Sequence, residues 1–530
     1  MKEIVNFLHL KGKVRWYLPG VPNHPLINQI FLSLPLFFGI KIIKKYRPGF
    51  QLRGLLPISL TMLAIFITVC ALHLFSGNLF DFNESQIVSV AWAHFAGLPL
   101  YHDLDSVKRY SILYGPTLYL TIGFFLKLLG PTLFHAKLPT FIASILGTTL
   151  NFLSLKNYTS YKRALLITAL LALSTFTFGQ PIVATRSDPL MYFAVSLGFF
   201  AATRNSSRIR IILGALALGY GANLKLHGVF YFLPVLTLIA QKSKPKDLAI
   251  LLGLAVILAA LPFLLDDGIS LEHYLLWVKL TVGHGLSLDS AFSNLEWALF
   301  FATLICVSGF RLLNKHRWFL GALILSTLQA CVAGSLAWAG KSHLLSLLPG
   351  FALLMAMVVD EIHWNHIKSA LVCAFGLSIA VLGFRQVREF LPQSLARESI
   401  PIQNDLKNLL ARLPENELVM MGYGEKEPYA FARPLVTFKY PDVFLDEAGI
   451  SDESMSRIPV PESVLDSFKN CYPRAWIIPK GEKPFAIHRV TPPYPELFSE
   501  RLRAEFTKDY AISERSDFFE LWRCRQRPVE

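Results

Sequence analysis

Between about residues 55 and 384 the chain alternates apolar runs with short polar turns. The runs are roughly 17–22 residues long, near the ~20 residues a helix needs to cross ~30 Å of hydrocarbon. The pattern predicts eleven crossings, at about 55–75, 136–155, 164–180, 189–203, 209–224, 228–240, 247–265, 295–312, 318–335, 343–359 and 367–384. An apolar run at 26–40, with basic residues on both sides, is either a twelfth crossing or an interfacial helix. Two stretches break the rhythm: 85–96 is amphipathic, and 111–129 is apolar and long enough to span. From about residue 393 the pattern changes, with frequent charges and prolines and no run long enough to cross. There, 405–413 reads as an amphipathic helix and 418–421 and 475–478 as short strands, which predicts a small α/β domain.

The fold expected is thus a polytopic α-helical membrane protein of about 11 to 12 transmembrane helices with a C-terminal extracytoplasmic α/β soluble domain. Its expected parts are a basic N-terminal region at 1–54, a transmembrane unit at 55–384 with external loops at 76–135 and 266–294, and a soluble domain at 385–530. Composition agrees: 53% of the residues are hydrophobic and 17% charged, a balance outside that of soluble domains.

Charge adds orientation. The net charge of +14 would suit a nucleic-acid binder, but its placement excludes that reading. Before Gly54 nine basic residues face one acid, Glu3. Short basic loops recur at 44–53, 156–163, 204–210 and 242–246, joined by 311–317. The positive-inside rule places all of them in the cytoplasm, with contact to anionic lipid headgroups a weaker addition. Counting 111–129 as a crossing would invert every later basic loop, so it is read as lying in or dipping into the outer interface. Residues 76–137 are then external, as are 266–294 and the C-terminal domain. The localisation that follows is a multi-pass protein of a bacterial inner membrane, although an endoplasmic reticulum protein would carry the same orientation. Cys70, Cys306, Cys331 and Cys373 lie in apolar segments and read as small apolar residues. Cys471 and Cys524, the two in the soluble domain, form a disulfide if that domain faces an oxidising compartment.

On this topology four charged constellations share the external ends of helices: Asp81 with Glu84, Arg186 with Asp188, Lys225 with His227, and Lys341 with His343. Any one alone reads first as a snorkelling or locally paired group. Together they suggest one polar cavity open to the outside. Acids beside fixed cations suit transfer of a group from a phosphate leaving group to a hydroxyl: a carboxylate takes the acceptor proton while cations stabilise the departing phosphate. The same residues would suit a transporter or flippase for a lipid-linked or anionic substrate. A third class is a non-catalytic membrane assembly partner. The C-terminal part shows no dinucleotide fingerprint, phosphate loop or catalytic triad, and no metal-ligand spacing requires a cation.

Several short motifs carry a resemblance through their order. Asp81-Phe82-Asn83-Glu84 is followed by the amphipathic stretch, by Gly97-Leu98-Pro99-Leu100-Tyr101 and by Tyr114-Gly115-Pro116-Thr117-Leu118-Tyr119. Arg186-Ser187-Asp188-Pro189, Asn223-Leu224-Lys225-Leu226-His227-Gly228 and Lys341-Ser342-His343 come later. This order resembles the GT-C glycosyltransferases, a superfamily that includes the lipid A aminoarabinose transferase and the protein O-mannosyltransferases. The resemblance implies an inverting hexosyl- or pentosyltransferase using a polyprenyl-phosphate-linked sugar donor and a lipid, glycan or protein acceptor. It further implies Asp81 as general base, with Glu84 as a second carboxylate that positions the acceptor or a divalent cation. Arg186, Asp188 and Tyr114 would shape the sugar pocket, and Lys225 and Lys341, with His227 and His343, would hold the lipid phosphate. The family's acidic pair is often adjacent; here Phe82 and Asn83 separate Asp81 from Glu84.

Overall fold

The computed structural model describes residues 55–179, 182–281, 284–336, 339–361, 366–394, 399–425, 429, 431–488 and 496–525, together with Gln29 and Ser33. The basic N-terminal region and most of the expected 26–40 helix lie outside the described residues.

The bundle begins with α1 (Leu55–Phe75), α2 (Phe82–Phe95), α3 (Pro116–Leu129) and α4 (Leu133–Leu155). It continues with α5 (Tyr161–Phe176), α6 (Ser187–Thr203) and α7 (Ser207–Ala222). A 3-10 turn (Gly228–Phe232) then feeds α8 (Leu233–Ala240), followed by α9 (Pro245–Leu265), α10 (Leu271–Thr281), α11 (Leu288–Lys315) and α12 (Arg317–Gly334). A second 3-10 turn (Lys341–Leu347) leads into α13 (Leu348–Glu361) and α14 (His366–Ser394). Among the described residues seven of these segments are long and apolar enough to cross a membrane: α1, α4, α9, α11, α12, the 341–359 segment and α14. The expected crossings at 164–180, 189–203 and 209–224 are helices of 16, 17 and 16 residues. α6 is buried along most of its length, packed between its neighbours.

The apolar run at 111–129 is helical only over its last 14 residues, about 21 Å at the α-helical rise and too short to span. Pro116 starts that helix at its first position, where a missing N–H costs nothing. Residues 111–115 stay extended because the Tyr114 backbone bridges to Lys225. The expected crossings at 228–240 and 343–359 each divide into a 3-10 turn and an α-helix, at Pro234 and Pro349 respectively. Inside the second loop α10 forms, which the hydropathy pattern did not show, and α11 starts seven residues before its expected position because its first turns are amphipathic. α14 continues through residue 385, the expected domain boundary, to Ser394.

Two of the basic turns meet. Arg210 donates to the carbonyls of Arg204 (2.9 Å) and Lys242 (2.7 Å), so the 204–210 and 242–246 loops share one end of the bundle.

The C-terminal unit comprises α15 (Ser399–Ala411), β1 (Val419–Met421), α16 (Ala432–Lys439), α17 (Glu447–Met455) and α18 (Glu462–Lys469), then β2 (Ala475–Pro479), α19 (Glu500–Asp509), β3 (Tyr510–Arg515) and β4 (Phe519–Cys524). The sheet order is β1-β2-β4-β3, with β1 and β2 parallel and the remaining pairs antiparallel. Every position of β1 and β2 is buried, which is why both read as apolar runs rather than alternating ones. The hairpin β3–β4 is half exposed and highly charged, and its pattern did not announce it. Cys471 and Cys524 are joined by a disulfide. The aromatic core under the sheet includes Phe468, Trp476, Phe485 and Phe506.

Candidate functional site

The connection between α1 and α2 is fixed before any functional side chain is placed. Lys137, on α4, is buried, and its ammonium donates to the carbonyls of His73 (3.1 Å) and Ser76 (2.8 Å), the Ser76 hydroxyl (3.1 Å) and the Asn78 carbonyl. An ammonium with that many oxygen partners is a stable buried cation. It pins the chain from His73 to Asn78, three residues before Asp81.

Asp81 is the N-cap of α2, its carboxylate accepting from the Glu84 N–H at 3.0 Å. The same carboxylate pairs with the Arg186 guanidinium at the start of α6. Burial pushes the Asp81 carboxyl up from its ordinary value and the Glu84 charge adds to this, against the pull of Arg186. Glu84 points away from the cavity. It is fully buried, with its two oxygens accepting from the N–H groups of Phe80 and Thr185, each at 2.7 Å. Burial alone would raise its pKa, but His73, the Thr185 amide and the Lys137 charge together hold it at about 2. Glu84 therefore ties α2 to the segment before α6 as a permanent anion. Its chemistry is that of a clamp holding Asp81 and Arg186 together.

Asp188, in the first turn of α6, lies 2.7 Å from the Lys225 ammonium, and both are buried. A carboxylate there also suits the positive end of the helix dipole. Lys225 sits in the turn between α7 and α8, where the chain approaches the Tyr114 strand closely. The Gly115 N–H donates to the Leu224 carbonyl at 3.2 Å, and a Cβ on Gly115 would lie 1.9 Å from the Asn223 oxygen. Only glycine allows that contact. In the same turn His227 Nε2 is 2.7 Å from His343 Nδ1 and 3.0 Å from the Tyr231 hydroxyl. Burial and then the Lys225 charge push His227 down to about 3, so its imidazole is neutral.

These groups surround a cavity of about 520 Å³. Its walls carry Asn83, Tyr114, Arg186, Lys225, His227 and His343. The structure thus brings Arg186, Lys225, His227, His343 and Tyr114 onto one cavity, with Asp81 and Asp188 directly behind it as ion-pair partners. It does not bring Lys341 there: its ammonium stacks over Trp297, 5.7 Å from the ring centroid. Tyr114, whose phenol burial raises well above the usual range, stands between the Asp81 and Lys225 sides.

Three lining residues come from the C-terminal unit: Ala448, Ser451 and Asp452, on α17. His284, from the segment between α10 and α11, is beside them and its Nε2 is 3.2 Å from the Asp452 carbonyl oxygen. No sequence signal singled out Asp452, one acid among several in a polar segment. Burial, followed by the charges of Glu453 and Asp446, raises its carboxyl to about 8. Among the described residues no group of three His, Cys, Asp or Glu side chains is placed to hold a metal ion.

A second space, an apolar groove of about 590 Å³, is lined by residues of α7, the 3-10 turn, α8 and α9, including Leu218, Val229, Leu236, Val256 and Phe263. The turn between α7 and α8 serves both spaces: Ala222 and Val229 line the groove, and Lys225, Leu226 and His227 line the polar cavity.

No protein-family model matches the chain, and no curated protein matches it. Among solved structures, apo ArnT from Cupriavidus metallidurans superposes with a TM-score of 0.50 at 11% identity, over 87% of this chain and 97% of that one. The same protein bound to undecaprenyl phosphate gives 0.49 at 10% identity, over 89% and 98%. The Archaeoglobus fulgidus oligosaccharyltransferase AglB, in complex with an inhibitory peptide and a dolichol-phosphate, gives 0.40 at 11% identity, over 82% and 70%. ArnT and AglB are GT-C glycosyltransferases. Over most of its length the chain shares the fold of ArnT.

Proposed function

We propose that this protein is an inverting glycosyltransferase that moves a sugar from a polyprenyl-phosphate donor to an acceptor hydroxyl at the external face of the membrane. One observation carries the reading: a polar cavity with cations on its wall and an apolar groove meet at a single turn, residues 222–229. That shape and polarity fit an amphiphile whose phosphate head sits by Arg186 and Lys225 and whose isoprenoid tail follows the groove. The ordered motifs and the shared fold support the same substrate class.

In the proposed reaction the acceptor oxygen attacks the anomeric carbon from the face opposite the phosphate, Asp81 takes the hydroxyl proton, and the polyprenyl phosphate departs with the bonding electron pair. A carboxyl raised by burial is a stronger base than a free one, which suits Asp81 to that task. Arg186 and Lys225 stabilise the charge growing on the leaving phosphate, and neutral His227, paired with His343, hydrogen-bonds it. Asp188 and Glu84 hold the cations and the base in place. Eleven crossings in the described part, a site outside the cytoplasm and a bacterial inner membrane complete the proposal, supported by the contact between the 204–210 and 242–246 basic turns, which lie at the ends of α6 and α7 away from Arg186 and Lys225. The expected role of a divalent cation at Glu84 is not part of it, since both Glu84 oxygens already accept backbone N–H groups.

Intact-mass analysis of lipids and glycans from cells with wild-type protein, with Asp81→Asn and with none tests the reading. The expected result is a sugar-sized mass increment in the wild-type cells alone, with transfer by Asp81→Asn reduced about 10²- to 10⁴-fold. No increment in wild-type cells, or gradient-driven lipid flux in proteoliposomes without product, would replace the enzyme with a transporter.

A further inference from the structure

Part of the cavity wall is built by the C-terminal unit, through Ala448, Ser451 and Asp452, and it is built rigidly. Arg109, on the first external loop and fully buried, forms an ion pair with Glu453 of α17 at 2.7 Å, and its Nε donates to the same oxygen at 2.8 Å. His102, from that loop too, is 3.2 Å from the other Glu453 oxygen. The Arg109 N–H donates to the Phe444 carbonyl (2.6 Å), and the Asp446 N–H donates to the Arg109 carbonyl (2.8 Å). Gly449 lets α17 touch the loop: a Cβ there would lie 2.9 Å from the Tyr110 carbonyl carbon. At its far end the Ser456 hydroxyl donates to the Leu280 carbonyl at 2.9 Å.

This clamp presents Ser451 and Asp452 to the cavity. The neighbouring acids on the helix are engaged: Glu453 by Arg109 and His102, and Asp446 as the helix N-cap, accepting from the Ala448 N–H. Among the described residues the Asp452 carboxyl has no hydrogen-bond or ion-pair partner. A carboxyl that reaches a cavity unpaired is available to a ligand. A carboxyl does not suit the phosphate side: neutral, it supplies none of the attraction that Arg186 and Lys225 give, and ionised, it repels the phosphate. Hydroxyl or amine groups suit it, since a carboxyl accepts from both and donates when protonated.

We infer that the α17 face bearing Ser451 and Asp452, with His284 beside it, is the acceptor subsite, and that Asp452 hydrogen-bonds a hydroxyl- or amine-bearing acceptor and sets its orientation toward Asp81. This rests on the glycosyltransferase reading and extends it to a specific role for the C-terminal unit. Asp452 is a positioning residue for the acceptor, and the proton leaves through Asp81.

The test uses the full-length protein in its membrane, with the sugar-sized mass increment as readout of transfer and undecaprenyl phosphate as the binding probe for the donor side. Product per inserted protein is compared for wild type, Asp452→Ala and Asp452→Asn. Asp452→Ala is expected to lower product formation about tenfold or more, the scale of one lost hydrogen bond in a water-poor site. It should leave undecaprenyl phosphate binding within twofold of wild type. Asp452→Asn, which keeps a donor and an acceptor, should restore transfer to within about threefold of wild type. Transfer by Asp452→Ala within twofold of wild type would overturn the inference, as would a parallel loss of undecaprenyl phosphate binding. If Asp452→Ala fails to insert, Asp452→Ser is judged by the same two criteria. Absence of product from the wild type refutes the glycosyltransferase reading itself, a separate outcome.

Discussion

Replacing Glu453 by glutamine tests whether the C-terminal unit is clamped to the loop between α2 and α3 by charge. The substitution keeps shape and removes the negative charge that Arg109 faces at 2.7 Å, leaving a fully buried guanidinium without its counter-ion. Breaking one side of a buried pair costs about 3–5 kcal/mol, because the remaining charge stays desolvated. At about 3 °C per kcal/mol for a unit of this size, the transition of the C-terminal unit should fall by about 10 °C. Thermal unfolding of the detergent-solubilised protein by tryptophan fluorescence reads this, since Trp476 and Trp522 lie in the sheet of that unit. Removing both charges together, with Arg109→Met and Glu453→Leu, should recover most of the loss, as well-packed apolar pairs often match buried ion pairs. A shift under 2 °C for Glu453→Gln would refute the reasoning. So would a double variant no better than the single one.

Further expectations follow from other contacts. Lys225→Ala removes a wall cation and leaves Asp188 buried and unpaired, so undecaprenyl phosphate binding, measured by native mass spectrometry, should weaken at least tenfold; unchanged affinity would take Lys225 off the phosphate. Gly115→Ala forces apart the Tyr114 strand and the 223–225 turn, and should destabilise the fold and abolish transfer together, whereas wild-type melting and activity would contradict the close approach. The Asp452 carboxyl, raised to about 8 by burial and by Glu453 and Asp446, holds a proton that the unfolded chain releases near pH 4. Its contribution to stability is therefore present at low pH and lost as pH rises from about 4 through about 8. Melting temperatures at pH 5.5 and 8.5 should show this decline in wild type and less of it in Asp452→Asn; equal slopes would remove the buried-acid explanation.

Helix positions were legible where apolarity is continuous. α1, α4 and α9 fall within a few residues of their expected ranges, because hydrocarbon demands unbroken runs of a set length. The buried strands β1 and β2 were visible for a related reason, every residue being apolar. The hairpin β3–β4 was not, since a half-exposed charged strand carries no such run. The site was legible as a set of charged residues at helix ends, and Arg186, Lys225, His227, His343 and Tyr114 do share one cavity. What those charges do to one another was not legible. Glu84 looked like a partner of Asp81 in chemistry, yet its oxygens are consumed by two backbone amides. Lys341 looked like a second phosphate ligand, yet it lies over Trp297.

By itself the sequence determined the apolar helices long enough to cross a membrane, the change to an α/β pattern towards the C-terminus, and which charged residues stand at helix ends. Those properties depend on local hydropathy and on the cost of placing charge in hydrocarbon. Only the tertiary structure decided that Asp81 pairs with Arg186 and Lys225 with Asp188, and that Asp452 from the distant C-terminal unit closes the cavity. These choices depend on contacts between residues separated by tens to hundreds of positions, which no local pattern encodes.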